Sequence, residues 1–166
     1  MGVLLLIRHA KAVPDAATDE LRPLADRGHQ DAHQAGRWLA ELEISPDLAI
    51  VSPATRARET WDEIAAVVGA SELQIEPRVY ENTVDDLLRV ISEVSDDVTT
   101  LALVGHNPSM HGLAITLDDG NGDDDARQEI HHGYPTCGIT VFDVTRSWSA
   151  LATGDALLHT FAAPRG

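Results

Sequence analysis

Residues that could bind and transfer an anionic group follow three apolar runs of the sequence. They are Arg8 and His9 after the first run, Arg56 in the pattern Ser-Pro-x-x-Arg after the second, and His106 in Gly-His-Asn-Pro after the third. Guanidinium groups bind the oxygens of a tetrahedral phosphoryl dianion bidentately, and an imidazole can act as nucleophile or as hydrogen-bond donor. Together these residue types indicate phosphoryl chemistry.

Whether these residues meet depends on the fold, because they lie roughly fifty residues apart in the sequence. In a parallel sheet the carboxyl ends of the strands share one edge, and ligands of open α/β sheets bind there. On its own, the pair Arg8-His9 is a weak signal that also fits a capped strand followed by a polar loop. Convergence with Arg56 and His106 would make it half of a phosphate pocket.

Hydrophobic periodicity predicts the elements that must hold these residues. Buried strands are predicted at 3–7, 48–51 and 99–104, with an edge piece within 73–80 and two or three final strands within 138–144 and 150–162. Helices are predicted at 29–42, 52–69 and 84–94, and a fourth runs from the turn 105–108 to about residue 117. In the second helix, Ser52 is expected as the cap and Pro53 at the first position. This order predicts a three-layer α/β/α sandwich with a mainly parallel sheet and a mixed edge.

Two segments lack an apolar period and are predicted to be loops. The first is 12–24, and long ordered loops are often functional. The second is the acidic stretch 118–125, which begins like a calcium-binding loop. It has Asp124 where that loop needs glycine and Ile130 where it needs glutamate, so it is interpreted as a solvated connection.

Composition limits the class of protein. The 166 residues are expected to form one domain, 1–166, with an ordinary content of hydrophobic (43%) and charged (23%) residues. A formal net charge of −15 argues against nucleic acid and against anionic membranes as partners. Cys137 is the only cysteine, which excludes an intrachain disulfide. The short first apolar run does not resemble a signal peptide, and no run reaches the roughly 20 residues that span a bilayer. A cytoplasmic location is predicted.

The motifs resemble those of the histidine phosphatase superfamily, also called the phosphoglycerate mutase-like superfamily, and within it the small SixA-type phosphohistidine phosphatases. The matching segments cover essentially the whole chain and are 6–11 (Leu-Ile-Arg-His-Ala-Lys), 22–24, 27–28, 52–60, 104–108, 134–136 and 148–164. The resemblance implies the phosphoglycerate mutase-like fold. It also implies that His9 is the nucleophile, that Arg8, Arg56 and His106 form the phosphate pocket, and that no metal or other cofactor takes part.

The physical chemistry of these residues agrees with those roles. A neutral imidazole can attack phosphorus, and a phosphohistidine intermediate divides one difficult displacement into two steps. The two arginines would neutralise the oxygens of the transferred group and hold them in line. Their charges should also favour the neutral form of His9.

A proton donor for the leaving group is less well defined by the sequence. Larger members of the superfamily use an acidic residue from the middle of the chain, and Glu81 follows the third strand at a suitable place. It fits equally well as a solvent-facing carboxylate in a turn before a helix. A phosphohistidine substrate would need less help from such an acid.

Two further cations have open roles. Lys11 would add positive charge to the rim of the pocket or would be a solvated loop residue. Arg22, in the long loop, would reach the pocket or would brace the loop through Asp15 or Asp19. The pair His29 and His33 has the spacing of a metal site but no third ligand nearby in the sequence, and it is interpreted as exposed.

The sequence therefore predicts a metal-independent phosphatase that acts through phospho-His9, with phosphohistidine on a protein as the expected substrate. A phosphatase for small phosphoesters would use the same pocket. A non-catalytic module that binds phosphoproteins on the same fold is the alternative outside enzymes. The oligomeric state does not follow from the sequence.

Overall fold

A six-stranded sheet with helices on both faces forms the framework of the computed structural model, which describes residues 2–69 and 72–166. The strands are β1 (Gly2–Arg8), β2 (Leu48–Val51), β3 (Glu72–Ile75), β4 (Thr100–Gly105), β5 (Ile139–Val144) and β6 (Ala156–Ala162). The helices are α1 (Asp26–Glu41), α2 (Thr55–Val68), α3 (Val84–Ser92), α4 (Ser109–Leu117) and α5 (Asp124–His132). Single 3₁₀ turns occur at Asp19–Leu21, Pro77–Val79 and Trp148–Ala150.

The strand order β3-β2-β4-β1-β5-β6 places the three predicted site-bearing strands next to one another. Strands β1 to β4 pair in parallel, whereas β5 and β6 are antiparallel. In the register, Arg8 lies beside Gly105 and Val51 lies beside Val104, so β1, β2 and β4 end at the same level. The predicted α/β fold with a mainly parallel sheet and a mixed edge is confirmed.

The central strand β1 is buried on both faces, which explains its unbroken apolar run. Leu4 and Leu6 pack in one core cluster with residues of α3, α4 and α5. Leu5 and Ile7 pack in the other cluster with residues of α1 and α2. These two clusters are the two interfaces of a three-layer sandwich, with the sheet as the middle layer.

The predicted bounds of several elements were wrong. Helix α2 begins at Thr55, so Ser52 and Pro53 precede it and Ser52 does not cap it. Helix α1 begins at Asp26, three residues before the predicted start. Its first turn packs on the chain that follows β1, since a Cβ atom on Gly28 would lie 2.1 Å from the carbonyl oxygen of Lys11.

Helix α5 lies partly in the acidic segment that was predicted to be a loop. Asp123 caps it, because its side chain accepts a hydrogen bond from the backbone nitrogen of Ala126 at 2.7 Å. Acidic residues stabilise the N-terminus of a helix through the free amides and the helix dipole, so the negative charge that indicated a loop belongs in part to a helix start. Arg127 also binds Asp118 from the first part of this segment at 2.6 Å.

Two other predictions at the periphery were only partly correct. Strand β3 is a short edge strand, as predicted, and it ends at Ile75 before a 3₁₀ turn that begins at Pro77. The last predicted strand begins at Ala156 and not at Ala150, which belongs to a 3₁₀ turn. Within residues 2–69 and 72–166, no helix is long and apolar enough to cross a membrane.

Candidate active site

The carboxyl ends of β1, β2 and β4 bring together the two histidines that the sequence singled out. Arg8 is the last residue of β1, and the backbone nitrogen of His9 donates to the carbonyl of Gly105 at 3.0 Å. The imidazole rings of His9 and His106 lie with their centroids 5.2 Å apart, and both side chains are buried. The sheet register thus produces the contact between residues almost one hundred positions apart.

The tautomer of His9 follows from its hydrogen bond to the backbone. Its Nδ1 lies 2.7 Å from the carbonyl oxygen of Ala10 and must donate a hydrogen there, because a carbonyl can only accept. The lone pair is then on Nε2. Burial lowers the pKa of His9 to about 4, opposed by the bond to Ala10 and assisted by the charges of Arg56 and Arg8. His9 is therefore a neutral base with an available Nε2 at neutral pH.

A chain of hydrogen bonds holds the backbone that orients His9. The nitrogen of Ala10 donates to the hydroxyl of Thr60 at 2.9 Å, and that hydroxyl donates to the carbonyl of Arg56 at 2.7 Å. The carbonyl of His9 accepts from the nitrogen of Cys137 at 3.0 Å. Through Thr60, the turn after β1 is tied to the helix that carries Arg56.

The two arginines are each held by their terminal nitrogens. Nη1 of Arg8 donates to the carbonyl of Tyr134 at 2.9 Å. Nη1 and Nη2 of Arg56 donate to the carbonyl and the carboxylate of Asp19 at 2.8 and 3.0 Å. In both arginines Nε is buried and has no hydrogen-bond partner in the described protein. Each guanidinium thus keeps an edge of Nε–H and Nη2–H, the fork that binds two oxygens of a phosphoryl group.

The ring of His106, the second histidine of the site, contacts the hydroxyl of Ser52. The hydroxyl of Ser52 lies 2.7 Å from Nε2 of His106 and accepts from the nitrogen of Ala54 at 3.2 Å. A hydroxyl has one hydrogen and two acceptor lone pairs, so Ser52 can donate to Nε2, with the ring proton on Nδ1, or accept from Nε2–H. Nδ1 is buried without a hydrogen-bond partner in the described protein. Burial, the charge that His9 carries when it is protonated, and the charge of Arg56 lower the pKa of His106 to about 3, so the ring is neutral at neutral pH.

Comparisons with known proteins agree with this geometry. Residues 4–93 match the family model of the histidine phosphatase superfamily, branch 1. The chain belongs to the histidine phosphatase superfamily. It is 33% identical to the phosphohistidine phosphatase SixA of Escherichia coli over 122 residues, 70% of this chain and 74% of that protein. It is also 39% identical over 161 residues to an uncharacterized protein of Mycobacterium tuberculosis, covering 96% of this chain and 100% of the relative.

A solved structure named for SixA of Nakamurella multipartitia has the same fold. It superposes with a TM-score of 0.87 at 28% identity and covers 98% of this chain and 96% of that one. The fold and the family together make this protein a SixA-like phosphatase with a histidine nucleophile. The resemblance that the strand-end motifs indicated is confirmed.

Asp19 was considered in the sequence analysis only as a residue that could brace Arg22. Asp19, at the start of the 3₁₀ turn in the long loop, binds Arg56, accepts from the hydroxyl of Tyr80 at 2.6 Å and pairs with Arg22 at 3.0 Å. The ring of Tyr80 in turn meets the ring of His106 edge-on at 5.6 Å. The brace between Arg22 and Asp19 is present, and it extends to Arg56.

Other functional contacts were missed in the sequence. Ser52 was assigned to a helix cap, although it directly follows β2 and so lies at the same sheet edge as Arg8 and His106. That position was the signal that could have identified it. Tyr80 carried no such signal, because its contact with Asp19 joins residues 61 positions apart.

Two further candidates, Glu81 and Lys11, are exposed to solvent. Glu81 lines, with Asn82, His106 and Ser109, an open cleft of about 290 Å³ beside the histidine pair. The roles of these two side chains stay predictions.

The two histidines of α1, His29 and His33, both lie near the carboxylate of Glu63. Nδ1 of His29 lies 3.1 Å from Glu63, and Nδ1 of His33 lies 3.8 Å from the same side chain. In the part of the chain that the structure describes, no group of three or more histidine, cysteine or acidic residues is arranged to hold a metal ion.

Proposed function

We propose that His9 is the nucleophile of this histidine phosphatase and that its substrate is phosphohistidine on a protein, hydrolysed without a metal ion. The observation that carries the proposal is the group of buried, unpartnered nitrogens around His9. These are Nε of Arg8, Nε of Arg56 and Nδ1 of His106. Buried donors without partners are costly, and a phosphoryl group with three oxygens would satisfy them together.

In the first step, Nε2 of His9 attacks the phosphorus atom as the bond from phosphorus to the leaving group breaks. The side edges of Arg8 and Arg56 hold the phosphoryl oxygens, and their charges offset the charge that develops on them. Nδ1–H of His106 donates to a phosphoryl oxygen. The positive charge that arises on His9 is stabilised by the bond from its Nδ1–H to the carbonyl of Ala10.

In the second step, a water molecule attacks the phosphorus atom of phospho-His9, and the proton that the water loses passes to the residue that protonated the leaving group. The bond between phosphorus and Nε2 breaks, inorganic phosphate leaves with the oxygen of the water, and His9 regains its lone pair. The same donors hold the oxygens in both steps, because the phosphoryl group stays in one place while the entering and leaving groups exchange. The active site therefore needs no second binding pocket for the phosphoryl group.

The leaving group needs a proton, and Glu81 is our candidate donor. It lines the cleft next to His106 and is exposed, as a group that exchanges protons with water must be. Asp19 is unsuited to that role, because hydrogen bonds from Tyr80 and Arg22 hold the pKa of its carboxyl far below the usual range. Glu81→Gln should slow an alkyl phosphate much more than phosphohistidine, whose imidazole leaves more readily than an alkoxide.

Two features support a protein substrate. The cleft beside His106 is open and shallow, and the exposed residues Glu81 and Pro108 line it, so a phosphorylated side chain on a large molecule could enter. In addition, the relative from Escherichia coli is a phosphohistidine phosphatase. A small sugar phosphate or nucleotide would find few enclosing contacts for its non-phosphoryl part there.

The test compares substrates and variants in the presence of a metal chelator. Wild-type protein should release phosphate from a protein phosphorylated on histidine with a higher kcat/KM than from sugar phosphates or nucleotides. His9→Ala should lose this activity, and His33→Ala, an exposed histidine on α1, is the matched control. With labelled substrate, a brief reaction should leave an acid-labile, alkali-stable phosphoenzyme in the wild type only.

The outcomes separate the alternatives. Full activity of His9→Ala would falsify the nucleophile assignment. Higher kcat/KM on small phosphoesters would replace the substrate with that class. Phosphate binding without turnover of any substrate would indicate a non-catalytic phosphoprotein-binding module, and activity only with added metal ion would exclude metal independence.

A further inference from the structure

We propose that Asp19 is a positioning residue of the phosphatase reaction, which holds the outer edge of Arg56 so that its inner edge faces the phosphoryl group. The inference rests on the proposed function, because it assigns Arg56 to the phosphate. It concerns the loop 12–24, in which Asp19 is about half exposed, with 53% of its side chain accessible. The side chain of its partner Arg56 is buried, with only 8% accessible.

The contact fixes both the direction and the rotation of the guanidinium. Asp19 accepts from Nη1 with its backbone carbonyl and from Nη2 with its carboxylate. Two acceptors on one residue define the plane of the guanidinium, which a single bond would leave free to rotate. Asp19 thus leaves one adjacent pair of hydrogen-bond donors on Arg56 free, namely Nε–H and the second hydrogen of Nη2.

Asp19 is itself fixed at both carboxylate oxygens. Oδ2 accepts from the hydroxyl of Tyr80 at 2.6 Å as well as from Arg56, and Oδ1 accepts from Arg22 at 3.0 Å. Nε of Arg22 donates to the carbonyl of Val13 at 2.8 Å. The bond from Arg22 to Val13 joins the two sides of the loop, and the bond from Tyr80 connects Asp19 to the segment after β3.

The neck of the loop is also closed by backbone pairing. Ala12 and Leu24 form an antiparallel bridge, and the nitrogen of Val13 donates to the carbonyl of Pro23 at 2.9 Å. The nitrogen of Leu24 donates to the carboxylate of Glu59 on α2 at 2.8 Å. A loop tied at its neck to the helix that carries Arg56 can hold that arginine in place without packing into a core.

A competing interpretation is that the carboxylate imitates a phosphate and blocks Arg56. A blocking anion would take the side edge that includes Nε, because that edge is needed for the phosphoryl group. Asp19 takes the end of the guanidinium and leaves Nε without a partner in the described protein. The two interpretations predict opposite changes in the affinity for an oxyanion when Asp19 is removed.

The first experiment measures kcat and KM with p-nitrophenyl phosphate and the affinity for tungstate by calorimetry. Asp19→Ala should lower kcat/KM by about 10- to 100-fold, because misplacing a catalytic contact by about 1 Å has an effect of this size. It should also weaken tungstate binding. Asp19→Asn keeps a neutral acceptor for Arg56 and Tyr80 and should recover part of both losses. The control Glu20→Ala removes the same charge from the adjacent exposed residue and should change neither value by more than about twofold.

The second experiment tests whether Asp19 acts through Arg56. In an Arg56→Ala background, Asp19→Ala should cause less than about a twofold further loss, since residues that act as a unit are not additive. Losses that multiply would overturn the proposal and assign Asp19 a separate role. Tighter tungstate binding by Asp19→Ala would establish the blocking interpretation instead.

These measurements distinguish the failure of this inference from failure of the proposed function. If the wild type turns over no substrate, the proposed function fails, while the tungstate affinities of wild type and Asp19→Ala still test the hold on Arg56. If the wild type is active and Asp19→Ala equals it, only the role of Asp19 is wrong. Because Asp19 is exposed, we expect the unfolding midpoint of its variants to match the wild type; if Asp19→Ala does not fold, Asp19→Asn decides.

Discussion

Arg8 and Arg56 present the same chemical groups to the pocket, but different parts of the molecule hold them. Arg8 ends the central strand, and the carbonyl that binds it belongs to Tyr134, whose side chain is buried in the core. Arg56 is bound by Asp19 on an exposed loop. One half of the pocket thus depends on contacts that also stabilise the fold. The other half depends on an exposed segment whose contacts with Arg56 lie outside the two core clusters.

The variants with the largest expected effect test whether Arg8 and Arg56, one from each half of the pocket, contribute equally to catalysis. Arg8→Ala and Arg56→Ala should each lower kcat/KM by about 1,000-fold or more, because arginines on a transferred phosphoryl group contribute factors of this order. Arg58→Ala, an exposed position two residues further along α2, is the control and should retain activity. A loss below about tenfold for either pocket arginine would contradict the equal assignment.

Two tyrosines offer a direct test of the difference between the halves. Within the core, the hydroxyl of Tyr134 donates to the carbonyl of Leu6 and also bonds the hydroxyl of Thr140, both at 2.7 Å. Tyr134→Phe should therefore lower the free energy of unfolding by about 1–3 kcal/mol with little change in kcat/KM. Tyr80→Phe removes the bond to Asp19 at the surface. It should lower kcat/KM several-fold and leave the free energy of unfolding nearly unchanged, as measured by urea denaturation. The reverse pattern would refute the division into a core half and a loop half.

Ser52→Ala tests the tautomer of His106. Without the hydroxyl, nothing in the described contacts keeps the ring proton on Nδ1, so kcat should fall by about tenfold while the protein stays folded. Ser45→Ala, which removes a surface hydroxyl that bonds the carbonyl of Val68, is the control. Unchanged kcat would show that His106 does not depend on Ser52.

The smallest effect concerns the pKa of His9, which is about 4. Protonation of Nε2 removes the nucleophile, so kcat/KM should be insensitive to this group at neutral pH and should fall as the pH approaches about 4. Removing a nearby positive charge makes the protonated ring less unfavourable, so Arg56→Ala and Arg8→Ala should both raise this pKa. The rise should be larger for Arg56→Ala, because its charge lowers the pKa more. Titration of the His9 ring by NMR in the variants measures both shifts, and a downward shift in either would contradict the assignment.

The pocket residues on the strand ends could be predicted because their placement follows from a general property of parallel sheets. Apolar runs identify buried strands, and the carboxyl ends of such strands lie at one edge. His9 and His106 meet there without any further information on side-chain packing. For the same reason, the α/β fold and the mixed edge of the sheet follow from the order of the elements.

Local polar residues were less informative, because a polar side chain can form its hydrogen bond with any of several partners and the sequence does not show which. Ser52 followed by Pro53 has the pattern of a helix start, but the hydroxyl bonds His106 instead, a residue 54 positions away. The acidic segment before α5 has the composition of a solvated loop, yet Asp123 caps a helix. In each case a long-range contact or a backbone amide determined which of the possible bonds forms.

The sequence by itself determined the strands, the fold class and the residues Arg8, His9, Arg56 and His106, because strand burial and strand direction are properties of the local pattern. Only the tertiary structure decided how those residues are held. The path of the loop 12–24 brings Asp19 to Arg56, 37 positions away, and to Tyr80, and no periodicity records that path. The tautomer of His9 likewise depends on the carbonyl of Ala10, which its ring meets only after folding.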